Sequence, residues 1–288
     1  MISGGDLSFA KPSTARMYNY YLGGKSWFEV DRAAAEGVLR SAPDAGDVAQ
    51  ENFLFAGRAA AWAARTYGIG QVLDIGAGIV GDVPLPSVED QVHASYPDAV
   101  VVGCDNDEVV LAHARGLRTG YGGVLKGDVR DLHGIFGDPN LQRVLDVDAR
   151  MIVVLAAVLH FVPDAQVDGV VDDLLRQLAP GSVLVMSHAT SSATDERRVS
   201  GMEQAYDDAS SRIRFRSVEW ISDMVADWDL VDPPGLCDVA RWDLPEPHQG
   251  RLGRDVRVVG QVAVRPEDAR RPRHRDSAGR RIGDGSAS

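Results

Sequence analysis

The residues best suited to chemistry stand at the ends of short apolar runs. Gln71-Val-Leu-Asp-Ile leads straight into Gly76-Ala77-Gly78. Glycines there let the backbone approach a ligand with no Cβ in the way. Val100-Val-Val-Gly-Cys ends in Asp105-Asn106-Asp107, with Asp105 27 residues after Gly78. A carboxylate at that strand end can accept both hydroxyls of a ribose. The run Gly122 to Lys126 is followed by Gly127-Asp128-Val129-Arg130, where a second carboxylate can reach the exocyclic amine of adenine. The run Met151 to Ala157 carries Ala156 near its end and leads into Val158-Leu159-His160-Phe161.

The loop chemistry narrows the ligand. Gly-Ala-Gly-Ile-Val-Gly, residues 76 to 81, superficially fits a dinucleotide pattern, but Asp82, Pro84 and Pro86 follow. A pyrophosphate wants a helix N-terminus immediately beside its loop, and none starts here. No Gly-Lys-Ser or Gly-Lys-Thr closes this loop, which excludes a P-loop there. The ligand implied is a nucleoside without phosphates.

Helical patterns separate the strands, at Asp107 to Leu117 and at Asp164 to Leu178, the latter stopped by Pro180-Gly181. A fifth strand spans Ser182 to Ser187. Helices around Glu196 to Ser210 and Val218 to Ala226 follow, then a short strand at Asp229 to Val231. A Pro-rich stretch ends in the alternating strand Val256 to Val264. This alternation predicts a doubly wound, Rossmann-like α/β sheet with right-handed crossovers. Residues 1–68 read as a helical cap. Pro12-Ser13 opens its first helix and Gly23-Gly24 closes it. Asp31 caps a second helix, and Asp47 a third that stops at Gly68. Residues 69–264 form the α/β domain. Residues 265–288 hold seven Arg and four acids with no apolar periodicity, and read as a disordered basic tail.

The 288 residues carry 30 Lys+Arg against 42 Asp+Glu, a formal charge of −12. Such a surface repels nucleic acid and anionic lipid, which favours a small-molecule or protein partner. With two cysteines, no signal-peptide pattern and no apolar run long enough for a bilayer, the cytosol is the expected compartment. The oligomeric state is left open. No Cys/His cluster has metal-ligand spacing, so no metal is expected.

The strand-end residues resemble the class I S-adenosylmethionine-dependent methyltransferases. Pro12-Ser-Thr-Ala-Arg-Met-Tyr-Asn-Tyr-Tyr-Leu-Gly-Gly-Lys25, then Phe28 and Asp31-Arg32, is similar to the opening of an actinobacterial S-adenosyl methyltransferase family. Val158-Leu-His-Phe-Val-Pro-Asp164, Leu178-Ala-Pro-Gly-Ser182 and Ser187-His-Ala-Thr190 resemble its later motifs, and the likeness covers roughly residues 10–245. It departs at Ile79 to Glu89, where Glu89 stands at the family's His position. The resemblance implies a seven-stranded sheet whose last strand, Val256 to Val264, is antiparallel. It implies S-adenosylmethionine as cofactor, with Gly76, Ala77 and Gly78 under its methionine part. Asp105 would hold the ribose, with Asn106 beside the adenine; Asp128 and Val129 would line the adenine pocket, and Ala156 would lie near the sulfonium. Arg16, Tyr20 and Lys25 would close over cofactor or substrate. The implied activity is methyl transfer to an O, N or C atom of a small molecule. Two alternatives stand: cyclisation or cleavage of the cofactor, or a silent cofactor-binding protein.

Several residues carry competing readings. His160 is a general base or a hydrogen-bonding wall residue, and His188 is a weaker candidate of the same kind. Asp74 reads as structural, pairing with amides of the glycine turn. Tyr18 and Tyr21 read as core, His113 as surface. Trp220, Trp228, Trp242 and Cys104 also read as core.

Overall fold

The apolar runs become the strands β1 (Gln71–Ile75), β2 (Val100–Asp105), β3 (Gly123–Lys126), β4 (Ile152–Leu155) and β5 (Val183–Thr190). The computed structural model describes residues 10–79, 81–117, 123–232, 235–242 and 257–267, with short backbone pairs at 274–275 and 281–282. The two-residue strands β6 (Asp229–Leu230) and β7 (Cys237–Asp238) and the long β8 (Arg257–Val264) complete the sheet. Its order is β3-β2-β1-β4-β5-β8-β6, with β7 paired to β8. β1 to β5 pair in parallel, whereas β8 runs antiparallel to β5 from Val183↔Val264 to Thr190↔Arg257. The implied antiparallel last strand is therefore present, within a sheet of eight strands rather than seven.

Ten helices flank the sheet among the described residues: α1 (Thr14–Tyr21), α2 (Glu29–Ser41), α3 (Ala45–Tyr67), α4 (Val88–Ser95), α5 (Glu108–Leu117), α6 (Leu132–Phe136), α7 (Pro139–Gln142), α8 (Asp164–Gln177), α9 (Glu196–Ala205) and α10 (Val218–Met224). β4 and β5 are buried along their whole length, as strands covered on both faces must be. Ile152 and Val154 of β4 join the cluster beneath α1 to α3, while Val153 and Leu155 join the one beneath α8. The alanines of α3 (Ala56, Ala59, Ala60, Ala63 and Ala64) let this long helix lie close to the sheet. Gly260 on β8 makes room for the Phe55 ring, because a Cβ there would sit 2.6 Å from Phe55 Cζ.

Three sequence expectations need correction. α2 begins at Glu29, and Asp31 lies inside its first turn, where its carboxylate accepts from the Phe28 amide at 2.8 Å. α3 begins at Ala45 after Asp44, so Asp47 is not its cap. α4 was not foreseen; Ser87 caps it reciprocally with Asp90. The tail lies largely outside the described residues, and within it β9 (His274–Arg275) and β10 (Arg281–Ile282) pair antiparallel.

The chain leaves β1 toward β2 on one side and returns to β4 on the other. That reversal opens a crevice beyond the carboxyl ends of β1 and β4, where an open α/β sheet binds its ligand.

Candidate active site

The turn after β1 is built from left-handed backbone. Gly76 has φ +82° and Gly78 φ +67°, values that side chains resist. A Cβ on Gly76 would lie 2.4 Å from Val158 Cγ2, whereas one on Gly78 would face open space. The Gly76 and Ala77 amides donate to the Cys104 carbonyl at 2.7 and 3.2 Å, and the Gly78 amide donates to Asp105 Oδ2 at 2.9 Å. These amides hold the turn against β2 and none goes to Asp74, which corrects the structural reading of that residue.

Asp105 is 7% exposed, and its Oδ1 accepts from the Asp107 amide at 2.9 Å. Burial raises its pKa against these two stabilising bonds. Each oxygen keeps one further acceptor site, enough for a pair of ribose hydroxyls. Asp128 is held differently. Its Oδ1 accepts from the Arg130 amide and Nε at 2.9 and 2.8 Å, and its Oδ2 accepts from Asn106 Nδ2 at 3.0 Å and from Arg130 Nη2. Arg130 first of all pulls its pKa down to about 2. With four donors already seated, Asp128 reaches an adenine amine only if one of them yields. Val129, buried, supplies an apolar wall beside it.

Beyond β4 the chain turns sharply, and Ala157 adopts φ +58°, uncommon for a residue with a side chain. A chain of buried hydrogen bonds fixes that turn. The Ala157 amide donates to Ser187 Oγ at 2.9 Å, and Ser187 donates to Asn52 Oδ1 at 2.5 Å. Asn52 Nδ2 donates to the Tyr18 hydroxyl at 2.9 Å, which donates to the Ala49 carbonyl at 2.9 Å. β5, α3 and α1 thus position the backbone beside Ala156.

One cavity of about 1170 Å³ contains Gly76, Ala77, Gly78, Asp105, Asn106, Asp128, Val129 and Ala156. It also contains Asp74, whose pKa rises to about 7 through burial and then through the neighbouring Asp105 charge. Asp74, Asp105, Asp107, Glu108 and Asp128 all line it. Two of the lining cations are occupied, Arg16 by Asp31 and Arg130 by Asp128. The site thus suits a phosphate-free nucleoside that carries positive charge. Among the described residues no group of His, Cys, Asp and Glu could hold a metal ion.

The family described as S-adenosyl methyltransferase matches residues 3–266. The chain belongs to that family. Its cofactor is S-adenosylmethionine and its reaction is methyl transfer. A protein from Thermobifida fusca YX, described as a candidate methyltransferase, is 29% identical with a TM-score of 0.82, over 92% of this chain and 99% of that one. A DUF574 family protein from Streptomyces avermitilis MA-4680 is also 29% identical, with a TM-score of 0.81, over 90% of this chain and 100% of that one. No curated protein matches the chain.

The cap of this methyltransferase is assembled differently from the sequence expectation. Tyr20 and Lys25 do not line the cavity. Tyr20 packs on Trp27, and Lys25 is exposed, contributing its backbone amide to Asp82 at 2.8 Å. The string Gly24-Lys25-Ser26 follows a helix rather than a strand, so it is no phosphate loop. Arg16 lines the cavity, but it is 3% exposed, and its Nε is committed to Asp31 at 2.6 Å. Tyr18 and Tyr21 pack against the core cluster as expected, and both also line the cavity. Residues three apart share a helix face, so Tyr18 and Tyr21 turn inward together while Tyr20 turns away. The unusual loop after the glycines has a clear use. Asp82 accepts from Asn19 Nδ2, the Lys25 amide and Ser26 Oγ, each at 2.8 Å, pinning the cap to the glycine turn. His113 is half-buried against Ser26, not on open surface.

His160 is 4% exposed, and its Nδ1 accepts from the Ala189 amide at 3.4 Å. That bond leaves the proton on Nε2, so the ring can donate but not take a proton there. Burial, with the Arg216 charge second, pushes its pKa down to about 3. These surroundings fit the wall role and not the general base. His188 is buried and likewise held neutral, with Arg216 Nη1 2.7 Å from its Nε2.

Proposed function

We propose that the enzyme methylates a small molecule inside this cavity and that it works in the cytosol. The observation that carries the reading is the placement of Asp105, next to a glycine bed, in an acidic and phosphate-hostile site. When bound, S-adenosylmethionine supplies a methyl group on a positively charged sulfur, already activated for displacement. The work left to the chain is alignment and exclusion of water.

Asp105 takes the ribose, and the open space over Gly78 admits the methionine part. Val129 and the Asn106–Asp128 pair form the adenine wall. Asp74 takes the positively charged amino group, because its half-buried carboxylate lies in the cavity and its pKa near 7 leaves it unsatisfied until a cation arrives. Ala156, steadied by the Ser187–Asn52–Tyr18 chain, borders the reacting atoms. The 1–68 cap closes the chamber and excludes a bulky polymer. The net charge of −12 supports a partner other than nucleic acid. With Asp82 of the altered loop committed to holding the cap, no observation favours cyclisation or cleavage over transfer.

Calorimetric titration of S-adenosylhomocysteine tests the reading. Asp105→Ala should lose a charge-assisted hydrogen bond of about 1.5–3 kcal/mol, roughly a ten- to hundredfold loss of affinity. Unchanged affinity in a folded variant would place the ribose elsewhere.

A further inference from the structure

The cavity has a second chemical character that the cofactor does not use. Tyr21, Val38, Phe161, Met202, Tyr206 and Phe215 line it and pack into one apolar cluster with the underside of the sheet. Phe161 and Tyr206 have ring centroids 5.8 Å apart. The Tyr21 hydroxyl donates to the Ala35 carbonyl at 3.5 Å, and burial pushes the Tyr206 phenol up to about 12 and the Tyr21 phenol further, so both stay neutral. The segment carrying Tyr206 to Phe215 is tied to the cap, where the Ser210 amide donates to the Pro12 carbonyl at 2.8 Å. It is tied to the β4 turn as well, where the Arg214 amide donates to the His160 carbonyl at 2.8 Å. This wall is therefore anchored at the strand end where Ala156 lies.

Charge decides what such a chamber accepts. Among the described lining residues, Arg16 and Arg130 are ion-paired, and Lys11 is exposed at the mouth. No cation stands inside to receive a carboxylate or phosphate, and burying an unpaired anion is costly. Aromatic walls favour flat rings. We propose that the methyl acceptor is an uncharged, predominantly apolar aromatic molecule, seated among Tyr21, Phe161, Met202, Tyr206 and Phe215. Neutral phenols are the polar groups that greet it. This inference rests on the cofactor occupying the Asp105 end.

Two probes of one shape separate the possibilities: 2-naphthol, neutral at pH 7, and 2-naphthoate, anionic. Each is titrated into enzyme saturated with S-adenosylhomocysteine. The expected result is naphthol binding at least about tenfold tighter than naphthoate. Phe215→Arg should level or reverse that preference by placing a cation in the chamber. Ile213→Lys, on the same half-buried wall, serves if the first variant fails to bind S-adenosylhomocysteine. Equal or tighter naphthoate binding by the wild type would overturn the proposal, as would neither probe binding to the loaded enzyme. An unaltered preference in a folded variant would overturn the placement. Failure of S-adenosylhomocysteine itself to bind would sink the cofactor reading first, which keeps the two failures distinct.

Discussion

The strand-end pocket and the helical cap enclose the same cavity by opposite means. At the strand ends, backbone does the positioning. Gly76, Ala77 and Gly78 are fixed by amides to Cys104 and Asp105, and Asp105 by the Asp107 amide. In the cap, side chains hold one another. Asp31 gathers the Ser13 amide at 2.8 Å and Arg16 Nε at 2.6 Å, Asn19 reaches Asp82, and Ser13 Oγ bonds Asp107 across the mouth. Topology thus dictates where the strand-end groups go, and the cap depends on a few buried polar pairs.

The comparison breaks most sharply at Asp31→Ala. Removing a partner from a fully buried pair leaves the Arg16 charge uncompensated and two amides unmatched. The expected loss is about 3–5 kcal/mol by urea unfolding. A loss near zero would mean that the cap closes without this latch. On the other side, Gly76→Ala combines a strained φ with the approach of Val158, and should cost about 1–3 kcal/mol in thermal unfolding. Gly78→Ala meets the strain alone and should cost less; the reverse ranking would contradict the packing described.

Asp74 tests electrostatics where the two regions meet. An ordinary aspartate ionises near 3.8, and this one near 7 when folded. Between those values the folded chain holds a proton that the unfolded chain has lost, so stability falls as pH rises from about 4 to 7 and levels off above. Asp74→Asn should remove this contribution and gain stability relative to wild type at pH 8 but not at pH 4, as read from urea midpoints. S-adenosylhomocysteine affinity of the wild type should rise with pH through 7 as the carboxylate becomes free to meet the ammonium, and the Asn variant should lose that rise. The smallest effects are expected at Lys25→Ala and Tyr20→Phe. Both should stay within about 0.5 kcal/mol in stability, with cofactor affinity unchanged. A tenfold loss of affinity in either would restore them to the site.

The strand ends were legible because a parallel α/β sheet sends each strand's last residues to one crevice, so apolar runs ending in Gly or Asp already locate the site. Asp105, Gly76 and Gly78 lie where their spacing put them. The cap was legible only in outline. Its helices show in the pattern, but about half a helical turn separates Tyr18 from Tyr20, and which of them faces inward depends on groups such as Asn52 that are distant in sequence. Asp74 escaped because the amides expected to satisfy it bond to Cys104 and Asp105. The role of His160 could not be read from its position at a strand end, since burial beside Arg216 decides its charge. The Ile79 to Glu89 loop shows in the sequence only as a departure from the resembled family's pattern, and its Asp82 anchors the cap.

The most direct measurement is a crystal structure with S-adenosylhomocysteine. The account predicts the ribose hydroxyls on Asp105, the adenine against Val129, the amino group on Asp74, and the chamber of Tyr21, Phe161 and Tyr206 left open for the acceptor. A ligand seated among those aromatic rings, or a ribose with no contact to Asp105, would contradict it.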